Sequence, residues 1–222
     1  MTDEDFAAQV AGVSALADPA RRALYRFVVC AGAPVSRDQA AAGVGLPRHT
    51  VKFHLDRLVD DGLLDTEYRR LSGRGGPGAG RPAKLYRRSA REYDVTLPER
   101  HYDLAGQILA EAVDTAARRN GRVREAVREA AAAQGSRLAT AAGGVPLEDV
   151  LAGLGYEPRP AGDDVVLGNC PFHRLAATHT ELVCGMNLDL LTALLDQRGE
   201  TGVRASLSPA PGRCCVVLHP PD

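Results

Sequence analysis

Apolar positions change their period several times along this chain, and each change marks an element. Phe6, Val10, Val13 and Leu16 recur at helical spacing and predict a short amphipathic helix from Asp3 to Ala17. Asp18-Pro19 then supplies an N-cap and a proline for the first turn of a helix running through Leu24, Phe27 and Val28 towards Gly32. Cys30, near its end among apolar neighbours, reads as a small core residue. Ser36 and Gln39 form a capping box for a third helix, Gly43 and Gly45 free the backbone for a turn, and Pro47 opens a fourth. There Val51, Leu55, Leu58 and Val59 make one apolar stripe, while Arg48, His49, Thr50, Lys52, Phe53 and Arg57 occupy the opposite face. His54, beside Leu55, is either a base reader or a packed, hydrogen-bonded histidine. A helix that is dry on one side and cationic on the other suits a DNA major groove.

The period then falls to two. Leu63 to Arg70 and Ala83 to Arg88 read as paired strands, joined by a glycine-rich, basic stretch over 71–82. A hairpin of this kind after a helix-turn-helix predicts a wing, with Arg69, Arg70, Arg74, Arg81 and Lys84 placed for phosphates or a minor groove. Neither G-x-x-x-x-G-K-[ST] nor a helix-opening G-x-G-x-x-G occurs, which argues against a nucleotide loop.

Helical spacing returns from Pro98 to about Arg118, with Tyr102, Ala105, Ile108, Leu109, Ala112, Val113 and Ala116 along one stripe. Asn120-Gly121 interrupts it before an Ala/Arg/Glu-rich helix that runs to about Thr140. Such a seam needs a cover, expected to be the same seam of a second subunit, the alternative being the chain's own C-terminal part. Beyond Gly143-Gly144 the pattern is helix, two strands, one or two helices, two strands, as in a small antiparallel α+β sandwich. The expected fold is mostly α with α+β content. It divides into a winged helix-turn-helix over 1–96, long dimerisation helices over 97–142 and a C-terminal α+β sensor domain over 143–222.

Charge sharpens this division. The net charge is −1, but residues 21–91 hold fifteen Lys/Arg against six Asp/Glu, leaving twelve against twenty-two elsewhere. A basic module joined to an acidic one points to double-stranded DNA as partner of the first. No apolar run of about 18 residues occurs and the start of the chain is acidic, so a soluble cytoplasmic protein without a membrane partner is expected.

Four of the five cysteines lie in the last third: Cys170, Cys184, Cys214 and Cys215. None forms a C-x-x-C pair, which argues against a zinc ribbon. A regular final strand would send only one of Cys214 and Cys215 towards a common site. Thiolates from Cys170, Cys184 and Cys214 would hold an iron–sulfur cluster open at one corner. Zinc needs a fourth ligand, for which Cys215, His173 and His179 are candidates. Cys170 and His173 do not make a hydrolytic pair, being three residues apart with no positioned acid, so no enzyme is expected.

The stretch from Asp18 to Tyr86, with the H-L-x-x-L-x-x-x-G-L-L ending from His54 to Leu64, resembles the winged helix of ArsR-type regulators. The wing Gly80-Arg81-Pro82-Ala83-Lys84-Leu85-Tyr86 resembles the SufR-like branch, which comprises iron–sulfur-sensing repressors. The likeness continues through Asn169-Cys170-Pro171, Cys184 and Gly212-Arg213-Cys214. It implies a [4Fe–4S] cluster on Cys170, Cys184 and Cys214, a homodimer on an operator, and repression by the cluster-bound form. Cys215 has no counterpart in that pattern, so the fourth ligand stays open; the neighbouring histidines would also suit zinc, and the alternative is a zinc- or thiol-redox-responsive regulator of the same architecture.

Overall fold

A computed structural model describes residues 3–70 and 82–221. The chain divides between residues 95 and 96 into two compact units, each with its own core.

The first unit holds α1 (Asp3–Ala15), α2 (Pro19–Cys30), β1 (Val35–Ser36), α3 (Arg37–Val44), α4 (Arg48–Asp60), β2 (Leu64–Arg69) and β3 (Ala83–Arg88). Asp18 caps α2 by accepting the Arg21 amide at 2.9 Å. Ser36 and Gln39 complete the capping box on α3, and Gly45 ends that helix in the left-handed region at φ 72°. Both features were legible from side-chain type and spacing. The antiparallel sheet has the order β1-β3-β2, with Leu64 opposite Arg88 and Arg69 opposite Ala83. Leu24, Val28, Val51, Leu55, Leu58, Leu64 and Tyr86 form the core between helices and sheet. Cys30 is exposed, which corrects its expected burial: Leu24 and Val28 set the inward face of α2, and two residues further turn the side chain outward. The wing tip, with Arg74 and Arg81, lies outside the described residues.

The second unit holds α5 (Tyr102–Arg119), α6 (Val123–Ala142), α7 (Leu147–Gly153), β4 (Pro158–Ala161), β5 (Asp164–Leu167), α8 (His173–Thr178), α9 (Thr180–Arg198), β6 (Arg204–Leu207) and β7 (Val216–His219). Its sheet is antiparallel throughout, in the order β4-β5-β7-β6. Helix α9 is the central element, buried along Val183, Met186, Leu190, Leu191 and Leu194, and packed on α6 and on strands β6 and β7. Gly135 lets α6 and α9 meet backbone to backbone: a Cβ there would overlap the Leu190 carbonyl and lie 3.0 Å from the Leu194 amide.

The seam of α5 is covered from within. Leu104, Ala105, Ile108, Ala112 and Ala116 are buried in the second unit's own core, Leu109 packs against it, and Ile108 is 1 % exposed. Ile108 is therefore not the free dimer surface expected from its spacing. Periodicity reveals an apolar face but not what covers it. Val113, on the same helix, is exposed.

Candidate functional site

The first site is the outer face of α4. Val51, Leu55 and Leu58 anchor the helix and turn Arg48, His49, Lys52, Phe53 and Arg57 outward, with Thr50 partly exposed. A shallow groove here is lined by Arg21, His49, Lys52, Phe53 and Arg57 together with Asp56 and Asp60. Phe53 is 67 % exposed, an apolar group suited to a thymine methyl. Arg48 pairs with Asp38 at 2.7 Å and Arg57 with Asp61 at 3.1 Å. The Arg48 pair is exposed on both sides, worth under about 1 kcal/mol, and yields readily to phosphate. Arg69, exposed on β2, approaches Glu67 at 3.5 Å, and Arg70 follows it, also exposed. His54 is half-buried, its ring edge-on to Phe53 at 5.3 Å, and its buried Nδ1 has no partner among the described residues. It is packed, but not through a hydrogen bond at that nitrogen.

Lys84 is bound within the fold. Its ammonium lies 2.7 Å from Asp56 Oδ1, Lys52 lies 3.0 Å from Oδ2, and the Tyr86 hydroxyl donates to Oδ1 at 3.0 Å. Asp56 thus ties α4 to β3. Burial raises its pKa, but the hydrogen bonds from Lys84, Lys52 and Tyr86 outweigh this and hold it at about 2 rather than 3.8. A depressed carboxylate contributes stability that is present above its unfolded pKa and lost as pH falls through the folded value. The first unit should therefore lose on the order of 1–2 kcal/mol between about pH 4 and pH 2. Acid titrations of Asp56→Asn followed by circular dichroism should lack that part of the decline.

The second site gathers four thiols. Cys170 lies in the loop after β5, where Arg100 Nη1 donates to its carbonyl at 2.7 Å and to Asn169 Oδ1. Asn169 in turn donates to the carbonyls of Gly155 and Glu99 at 2.6 and 2.9 Å. The Cys214 amide donates to the Leu167 carbonyl at 2.8 Å, which brings the C-terminal segment beside that loop. Cys184 lies in the second turn of α9. Cys170 and Cys214, Cys214 and Cys215, and Cys215 and Cys184 lie close enough to act on one another's titration.

Cys215 is therefore turned towards the other thiols, contrary to the alternation expected of a strand. The reason is local: β7 starts only at Val216, and the backbone bends at Cys215 before it. His173 and His179 are exposed, and neither is among the groups acting on the thiols.

Cys170, Cys184 and Cys214 are 9 %, 7 % and 1 % exposed. The Cys170 thiol is pushed far up by its hydrogen bond to Cys214 and by burial. For Cys214 the bond from Cys170 lowers the pKa, but the bond to Cys215 and burial raise it to about 11. Burial also raises Cys184. Arg100 is a minor, lowering influence on Cys170, and a bound metal ion or cluster would favour the ionised thiols against burial. That donor chemistry fits a thiolate-bound metal or cluster. Among the described residues, no group of three or more His, Cys, Asp or Glu side chains already stands in an arrangement that would hold a metal ion.

Asn187 and Tyr156 belong to this site and escaped the sequence reading. The Asn187 Nδ2 donates to Cys214 Sγ at 3.3 Å, and the Tyr156 hydroxyl donates to Asn187 Oδ1. Asn187 lies one turn beyond Cys184, a spacing that would have revealed it.

Residues 16–67 match the family described as a helix-turn-helix domain. No curated protein and no solved structure matches the chain. The match, with the exposed basic face of α4, supports a DNA-binding transcriptional regulator. Among the described residues, no helix is long and apolar enough to cross a membrane.

Proposed function

We propose that this protein is a transcriptional repressor, acting as a homodimer on a pseudo-palindromic operator, whose DNA affinity is controlled by a [4Fe–4S] cluster. Cys170, Cys184 and Cys214 hold the cluster, and Cys215 is the fourth ligand. The observation that carries this reading is the meeting of four largely buried thiols contributed by a loop, a helix and the segment before the last strand. When bound, the cluster supplies a cross-link between these segments that oxidants can remove. The chain's own part is to collect the thiols, to exclude water from them, and to place Arg100 and Asn187 beside them. A dimer matches the two-fold symmetry that helix-turn-helix readers share with their operators.

Zinc is the second reading, favoured by one observation: with Cys215 turned inward, four thiols satisfy a closed tetrahedral site without water. The cluster stands first because each of its irons takes a separate thiolate, whereas a single ion needs all four sulfurs around one point.

Operator titrations of loaded and chelator-stripped protein test the reading, the loaded form being the tighter binder. In the same assay Arg48→Ala should cost about 1–3 kcal/mol on the operator and little on random DNA, through loss of a base contact. Arg81→Ala should weaken both alike and reduce the slope of log K against log salt by about 0.9. Wild-type affinity and slope in both variants would remove α4 and the wing from the interface.

A further inference from the structure

The buried side of Cys214 carries a donor that a set of four thiols does not require. Asn187 is 1 % exposed, and its Nδ2 points at the Cys214 sulfur from 3.3 Å. A primary amide can present either end to a neighbour, and only its nitrogen end is favourable to a thiolate. Tyr156 fixes the choice. Its hydroxyl, 1 % exposed as a residue and held protonated by burial and by the nearby thiols, donates to Oδ1 of Asn187. The oxygen is thereby engaged, and the nitrogen faces Cys214.

We propose that Asn187, oriented by Tyr156, is a positioning residue for the Cys214 thiolate in the loaded protein. The N–H fixes the direction of the sulfur and draws charge from it, as hydrogen bonds to metal-bound sulfurs do. This rests on the four thiols being a ligand set, but not on which metal group they hold. A merely space-filling role predicts something different: leucine, of similar volume and without polar atoms, would serve as well or better in so buried a place.

The test uses the full chain, stripped of metal under anaerobic conditions and titrated with cobalt(II) alone. Cobalt reports its own ligands through the sulfur-to-metal charge-transfer band. The wild type should bind with that band. Asn187→Leu should bind about tenfold more weakly, the usual loss when a ligand's hydrogen-bond partner is removed. Its band should move to longer wavelength, because an unbonded thiolate gives up charge more easily. Tyr156→Phe, which removes one oxygen and leaves the ring packed, should fall between the two, its amide being free to turn. If the variants keep the wild-type circular dichroism and also its cobalt affinity and band position, the inference is overturned while the ligand set stands. If the wild type itself shows no thiolate band, the ligand set fails and the inference falls with it.

Discussion

Serine at Cys170, Cys184, Cys214 or Cys215 is expected to remove the visible absorption of the anaerobically purified protein and to release its operator. The effect should be close to complete for each, because each thiol is proposed as one of four ligands and the four act on one another's titration. Cys215 is the informative position. Alternation along a strand would make its loss mild, whereas the backbone bends at Cys215 and its thiol acts on both Cys184 and Cys214. Cys30→Ser should change neither colour nor DNA binding, since Cys30 is exposed at the end of α2 in the other unit. The measurements are an anaerobic absorption spectrum and an operator titration on each variant. Retention of colour by Cys215→Ser, with loss in the other three, would return the fourth ligand to a group other than this thiol.

The second large effect is structural. Gly135→Val should destabilise the second unit by about 3 kcal/mol, the upper end for overpacking, because the obstacle is the α9 backbone and not a side chain that can swing away. Thermal unfolding followed at 222 nm should show the loss in the second unit's transition, leaving the transition of the first unit where it was. Since α9 carries both Cys184 and Asn187, the same variant should hold metal less tightly. An unchanged melting profile would mean that α6 and α9 do not approach as closely as Gly135 allows.

Much of the first unit was legible because local chemistry decides it. Asp18-Pro19, the Ser36/Gln39 capping box and the Gly45 terminus each act within one helical turn, and the apolar stripe of α4 needs only its own phase. What escaped depends on partners distant in sequence. The stripe on α5 announces burial without naming its cover, which proved to be the chain's own core, so the expected dimer contact at Ile108 is closed. Lys84 looked like a free cation until Asp56, twenty-eight residues away, was seen to bind it. At the thiols, residue type alone picked out the cysteines. The orientation of Cys215 depended on where a strand begins, and Asn187 and Tyr156 depended on a helix and a loop meeting thirty-one residues apart. The acidic character of the chain outside the basic module gave no hint of these contacts, because buried polar groups leave little trace in composition.

The account turns on what the four thiols hold, and elemental analysis of anaerobically purified protein tests that most directly. Iron and acid-labile sulfide in equal amounts, about four of each per chain, with a broad visible band and little zinc, is the result the account predicts. Stoichiometric zinc without iron or sulfide would contradict it and establish the closed tetrahedral site instead.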